Sequence, residues 1–314
     1  MVEFLLGKRE LISVGKETTY GTNVSPTYLF GRNAKFDPNK NAQKWEEILG
    51  SGTDNINVKR EIGNQDIGGT LTFTPQDWSM FYFILGSVNT TGSSPYTHTF
   101  TNSNTIPSFT LERAIQATTD RVRTYKGCQV DSATINFATG GGAGGGYIDL
   151  SLEILAQDVS PGTTTTSLSA PTTQGFQFRH AKLTLNSTEI VELISGSLNI
   201  NNNLSDGRYA NYTLNEKKGE SAPQIRKITG NFVINIKDDT YFDFWKDRQI
   251  IPGTNKLMFQ RGENDYVEFT FINIVVPSAP DPTNLEGINT VTLNFEVEEV
   301  SVIAKDNISA YFGL

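Results

Sequence analysis

The sequence predicts an all-β chain with one short helix per repeat, built as two tandem, duplicated β-sandwich or barrel domains. Three observations predict it. The first is alternation at period two: Phe176 and Phe178, Leu183 and Leu185, Leu198 and Ile200, Phe232, Ile234 and Ile236, and Val291, Leu293, Phe295 and Val297 recur at every second position. That is the pattern of strands with one buried face. The second is punctuation, since clusters of Gly, Asn, Ser and Thr separate these runs at short intervals, as sandwiches and barrels require. The third is an internal repeat. Residues 67–83 align without gaps to 228–244, 161 positions later, matching Gly69 to Gly230, Asp77 to Asp238, Phe81 to Phe242 and Phe83 to Phe244.

Each element follows from that frame. In both copies an alternating strand runs into Thr74-Pro75 or Asp238-Asp239, residues that suit a helix entry. Aromatic-rich helices of about three turns are therefore predicted over 75–85 and 239–248. A second match, 150–160 with 291–301 at an offset of 141, closes each copy, and Phe109 to Arg113 resembles Leu257 to Arg261 between the anchors. A longer insertion in the first copy accounts for the changed offset. The predicted organisation is an N-terminal arm at 1–27, a first β domain at 28–160, a linker at 161–173, a second β domain at 174–301 and a C-terminal arm at 302–314. The linker has the Thr, Ser, Gly and Pro content of a flexible connection.

Composition removes several function classes. Of 314 residues only one is cysteine, Cys128, and two are histidine, His98 and His180, which leaves no disulfide framework and no Cys/His zinc site. A net charge of −8 argues against phosphate-driven nucleic-acid binding. It divides evenly, with 13 basic and 16 acidic residues up to Ser160 and 13 and 18 after it. The apolar run before Gly7 is too short for a signal-peptide core or a membrane span, so no membrane partner is expected.

Candidate chemistry is thin. The glycine run at 140–146 lacks the Lys-Ser/Thr and helix of a phosphate loop and reads as a hairpin tip. Glu296 and Glu298 have glycosidase spacing, but such a pair is what any solvated strand face displays. Two histidines without a nucleophile elbow place no triad, so both are expected at the surface or an interface, and Cys128 reads as a small core hydrophobe. The sequence therefore predicts no enzyme, no cofactor, no metal site and no catalytic residue.

Two long insertions stand at equivalent places in the copies, 38–55 and 201–220. Connections of this length are usually functional or disordered, and these carry Trp45, Ile48 and Leu49 in the first, Arg208, Tyr209 and Tyr212 in the second. Aromatic and Arg content favours interface cores, so these six residues are expected to contact another subunit. Tyr311 and Phe312 in the C-terminal arm join them, with docking on their own domain as the alternative.

The opening Gly15-Lys-Glu-Thr-Thr-Tyr-Gly21-Thr, followed by a strand and two β domains with one helix each, resembles the tail tube proteins of long-tailed, non-contractile viruses of bacteria or archaea. The resemblance implies a virion tail protein, assembled in the host cytoplasm, whose rings stack into a channel for the genome. Each ring would be lined by six tube domains, so a two-domain chain would close it with three copies. The implied partners are the chain itself and the tape-measure, tail-terminator and tail-tip proteins, with viral DNA passing unbound. The competing class is a tandem β-sandwich binding module, such as a tail-tip adhesin or a carbohydrate-binding protein.

In such a channel the closing strand of each repeat is expected to offer its polar face. Alternation turns Leu150, Leu152 and Ile154 inward with Val291, Leu293, Phe295 and Val297, leaving Asp149, Ser151, Glu153, Thr292, Asn294, Glu296 and Glu298 on the other side. These seven are the expected lumen residues, none of them basic; the alternative is that they face outer solvent.

Overall fold

Alternating runs become strands along almost the whole chain. The computed structural model describes residues 10–39, 42–49, 57–139, 146–207, 218–235, 237–280 and 289–314, with the backbone alone for 42–49 and 57–65. The first half contains β1 (Glu10–Lys16), β2 (Tyr28–Leu29), β3 (Lys35–Pro38), β4 (Ala42–Leu49), β5 (Asn57–Gln65), β6 (Ile67–Phe73), α1 (Phe81–Leu85), β7 (Gly86–Thr91), β8 (Tyr96–Asn102), β9 (Phe109–Ile115), β10 (Arg121–Ala138), β11 (Asp149–Ala156) and β12 (Asp158–Gly162). The second contains β13 (Ala181–Leu185), β14 (Thr188–Ile190), β15 (Leu193–Asn201), β16 (Lys227–Asn235), α2 (Thr240–Lys246), β17 (Lys256–Gly262), β18 (Asp265–Val275) and β19 (Thr290–Asp306). The chain is all-β, with two short α-helices among the described residues, and its named strands pair antiparallel.

One sheet runs through both halves in the order β3-β6-β11-β10-β15-β16-β19-β18. Its first four strands and its last four are joined by β10 against β15, where Ser132 faces Asn201 and Ala138 faces Ser195. A second layer has two parts, β2-β1-β9-β10-β12 and β14-β13-β17-β18-β19-β8-β7. Strands β10, β18 and β19 are long enough to serve both layers. Gly127 (φ 62°) in β10 and Asn273 (φ 55°) in β18 occupy corresponding bends, a left-handed conformation that glycine and asparagine tolerate best.

The matched glycines have a packing reason. A Cβ on Gly69 would stand 2.2 Å from the Asp37 carbonyl oxygen, and one on Gly230 would stand 2.4 Å from both the Phe295 ring and the Ser197 carbonyl oxygen. In both halves the strand leading to the helix is pressed between neighbours that leave no room for a side chain at this glycine.

The helices are shorter than predicted. α1 spans five residues because residues 78–83 wind in i→i+3 turns, Phe81, Tyr82 and Phe83 donating to the carbonyls of Trp78, Ser79 and Met80. Asp77 holds the turn before it, accepting from the Ser79 N–H at 3.0 Å and its hydroxyl at 2.6 Å. The extra hairpin of the first half, β7–β8, lands on the second: β8 pairs with β19 from Tyr96 opposite Asp306 to Phe100 opposite Val302. This exchange, with β10–β15, makes one core cluster that includes Phe81, Phe83, Phe100, Phe259 and Phe269.

The ends of the chain are woven in. β1 lies within the expected N-terminal arm and pairs with β9 over all seven residues, and β19 continues to Asp306 inside the expected C-terminal arm.

Candidate functional site

Four features hold the residues that the sequence singles out, together with the polar groups beside them. The first is the outward face of the eight-stranded sheet. Leu150, Leu152, Ile154, Val291, Leu293, Phe295 and Val297 are buried, while none of Asp149, Ser151, Glu153, Thr292, Asn294, Glu296 and Glu298 is. The seven lie on two strands of one sheet with β10, β15 and β16 between them, so β11 and β19 do not touch there. Small polar side chains bond across strands on this face: Thr70 to Glu153 at 2.8 Å between β6 and β11, and in the gap Asn199 to Thr134 at 2.8 Å and Asn231 to Ser197 at 2.9 Å.

Sequence reasoning missed this Ser/Thr/Asn ladder, although the alternation of β15 and β16 carried it. It also missed two cations. Lys35, beside Asp37, and Lys227, opposite Asn201, lie on the same face. The face stays acidic on balance, with Asp37, Asp149, Glu153, Glu296 and Glu298 against these two lysines. Partial burial raises the pKa of Asp149.

The second feature is the motif after β1. Glu17 is buried and its carboxylate accepts four hydrogen bonds: from the Gly21 N–H (2.9 Å), the Ser108 hydroxyl (2.7 Å), the Thr110 hydroxyl (2.9 Å) and the Gly127 N–H (2.9 Å). Such a carboxylate needs no cation, because donors offset its desolvation. It binds the Gly21 turn to β9 and to the β10 bend, while Tyr20 reaches out to donate to the Gly219 carbonyl at 2.9 Å. Cys128, next to the bend, is buried, and burial with Glu17 nearby pushes its thiol up.

The third feature is the root of the second long insertion. Arg208, Tyr209 and Tyr212 lie outside the described residues, but the chain on either side of them docks on the first half. The Asn202 amide donates to the carbonyls of Ile84 (3.0 Å) and Val130 (2.9 Å). Gln129 accepts from the Ser221 N–H at 2.9 Å and donates to the Ser221 carbonyl at 3.2 Å, and Gln157 donates to the Lys218 carbonyl at 3.0 Å. In the first insertion the side chains of Trp45, Ile48 and Leu49 lie outside the described residues. Their strand β4 pairs with β5 in a separate two-stranded sheet.

The fourth is the C-terminus, which docks on its own chain, the alternative that the sequence left open beside an intersubunit contact. Tyr311 is 2% exposed in a single chain, stacks on His98 with centroids 4.0 Å apart and donates to Asp306. It fills its own core and has no surface left for a neighbour. Phe312, partly buried, packs on Phe83 at 4.8 Å. His98 is not at the surface either: the alternation of β8 turns it inward with Phe100, between Thr90 (2.8 Å) and Asp306 (3.1 Å). His180 accepts from the Gln177 N–H at 3.0 Å. Burial, with Arg179 and Arg261 nearby, lowers its pKa. Among the described residues no three His, Cys, Asp or Glu side chains gather as metal ligands.

A continuous sheet with a hydrogen-bonded polar face and loops that dock on the neighbouring unit define a structural β protein. The chain belongs to the phage tail tube protein family, whose model matches residues 7–298 of its 314. Comparison with curated proteins finds no match. The family makes it a structural protein of the virion tail that assembles with copies of itself into a tube.

Proposed function

We propose that three copies close each ring of the tube, and that the polar sheet face lines the channel through which the genome is delivered. The pairing of β10 with β15 supports this reading most strongly. It joins two four-stranded units of the same order, β3-β6-β11-β10 and β15-β16-β19-β18, inside one chain. By that correspondence β18 is the counterpart of β10 and β3 the counterpart of β15. The end of one chain's sheet at β18 then meets β3 of the next, as β10 meets β15 within the chain. A heterologous contact of this kind closes into a ring when its rotation divides a circle.

The two units are a duplicated domain, 28–160 with β1 added and 174–301, so three chains supply six units. Asp149, Ser151, Glu153, Thr292, Asn294, Glu296 and Glu298 would then line the channel, hydrated and like-charged with DNA. Phosphates find few cations there to release their counterions, and repulsion is screened beyond about 8 Å at physiological salt but repeated in every ring. Assembly would take place in the host cytoplasm, with tape-measure, tail-terminator and tail-tip proteins as further partners. Virions carrying Glu153→Lys, Glu296→Lys and Glu298→Lys test the channel assignment: tubes of normal length with infectivity reduced at the genome-delivery step are expected. Normal infectivity would remove these residues from the lumen.

A further inference from the structure

We infer that the apolar patch formed by α2 and the end of β18 is the docking surface for a second copy of this chain, and that the root of the neighbour's β4–β5 hairpin, residues 42–44 and 60–65, occupies it. The inference rests on the ring reading above and names the contact that would hold the ring together outside the sheet.

Four of the seven residues of α2 are aromatic: Tyr241, Phe242 and Phe244 are partly buried, Tyr241 and Phe244 resting on the core, and Trp245 is exposed. Trp245 is 36% exposed, and Ile250, Ile272 and Val275 are 48%, 40% and 46% exposed. A cleft of about 480 Å³ opens here between the end of α2 and residues 275–277, with Lys246, Arg248 and Gln249 on its helix side. Apolar groups gathered on a surface mark an interaction site more often than scattered ones do.

The first half shows what belongs in the cleft. By the gapless repeat Ile84 corresponds to Trp245, and by the pairing of β10 with β11 and β18 with β19, Gln129 and Val130 correspond to Val275 and Val276. All three first-half residues are buried, beneath residues 202–204 and 218–224 of the same chain. That covering segment has a counterpart in turn. Leu204 bridges Pro223 at its root, and the positions matched to them by strand register, Lys44 and Ile62, face each other in the β4–β5 hairpin. The hairpin thus stands where the covering segment stands, but on β3, at the end of the chain's sheet that has no second-half patch beside it. A neighbouring copy brings the two together. Ala42 holds the place of Asn202, which bonds the Ile84 and Val130 carbonyls, and Arg60 that of Ser221, which bonds Gln129, the counterpart of Val275.

Two experiments on the full chain test this. Trp245→Glu and Val275→Asp are expected to leave the unfolding temperature of the single chain within 2 °C of wild type (roughly, as for exposed sites). They should raise the concentration needed for assembly more than about tenfold, as loss of an interface hot spot does. Assembly at the wild-type concentration overturns the inference. In the second, Arg60→Cys and Val275→Cys chains are co-assembled and treated with a short bismaleimide, Cys128 being buried. Covalent dimers in the mixture, and in neither variant alone, are expected. Tubes that form without these dimers overturn the docking assignment and leave the ring standing. A wild-type chain that forms neither rings nor tubes overturns both.

Discussion

α1 and α2 follow strands that align without gaps, yet every residue of α1 is buried and none of α2 is. The aromatic pattern is shared, with Phe81 and Phe83 standing where Phe242 and Phe244 stand; the covering differs. α1 lies under Phe100, Phe109, Phe269 and Phe312, residues drawn from the β7–β8 hairpin, β9, the second half and the C-terminus. The contrast teaches that aligned strand–helix segments can be fully buried in one half and only half-covered in the other, according to what the chain lays over them.

The largest effect is expected from truncating matched rings. Phe83→Ala should cost about 3–5 kcal/mol in urea unfolding, the usual toll of a large cavity in a packed core. Phe244→Ala should cost about 1 kcal/mol in the isolated chain. Equal losses would erase the distinction between the two helices. Next is Glu17, which ties the turn after β1 to β9 and to the β10 bend. Glu17→Ala strands four donors and should lose about 3 kcal/mol, with Glu17→Gln losing less; an unchanged denaturation midpoint would contradict its role as a hub. A smaller effect separates Gln129 from Val275. Gln129→Leu breaks the bonds to Ser221 and should cost about 1–2 kcal/mol, whereas Val275→Leu should stay within about 0.5 kcal/mol.

The smallest is a dependence on pH. Burial raises the pKa of Asp77, which Tyr28 and Ser79 only partly offset by donating to it. A carboxyl with a raised native pKa binds its proton more tightly folded than unfolded. Its contribution to stability is full below the unfolded value near 3.8 and is lost as pH rises through the native one. Asp77→Asn removes the charge and keeps the shape, so its melting temperature relative to wild type should climb with pH from 4 and then level off (roughly the carboxyl range). A difference independent of pH would show that Asp77 is not held in this way.

Much of the fold was legible because alternation is a local signal. The seven buried and seven outward residues of β11 and β19 follow from period two alone, and the gapless repeat announced β6 with α1 and β16 with α2. What failed depended on distant chain. His98 was expected outside because nothing local shows that β8 is roofed by Asp306 and Tyr311, 208 positions or more away. Helix length was overestimated because Thr74-Pro75 and Asp77 look like a helix start whether the next turn is α or 3-10. Glu17 stood in the motif, but its four donors come from Gly21, β9 and the β10 bend, so only the closed fold reveals its work. Trp245 and Val275 gave a weak signal that could have been read: aromatics in a short helix whose matching partners must be core.

The central claim is that the junction between β10 and β15 is the internal copy of the junction between chains. A cryo-EM reconstruction of the assembled tube measures it directly. The account predicts three chains per ring, with β18 of one chain alongside β3 of the next and a polar wall facing the channel; six chains per ring, or a ring in which β3 stays free at its edge, would contradict it.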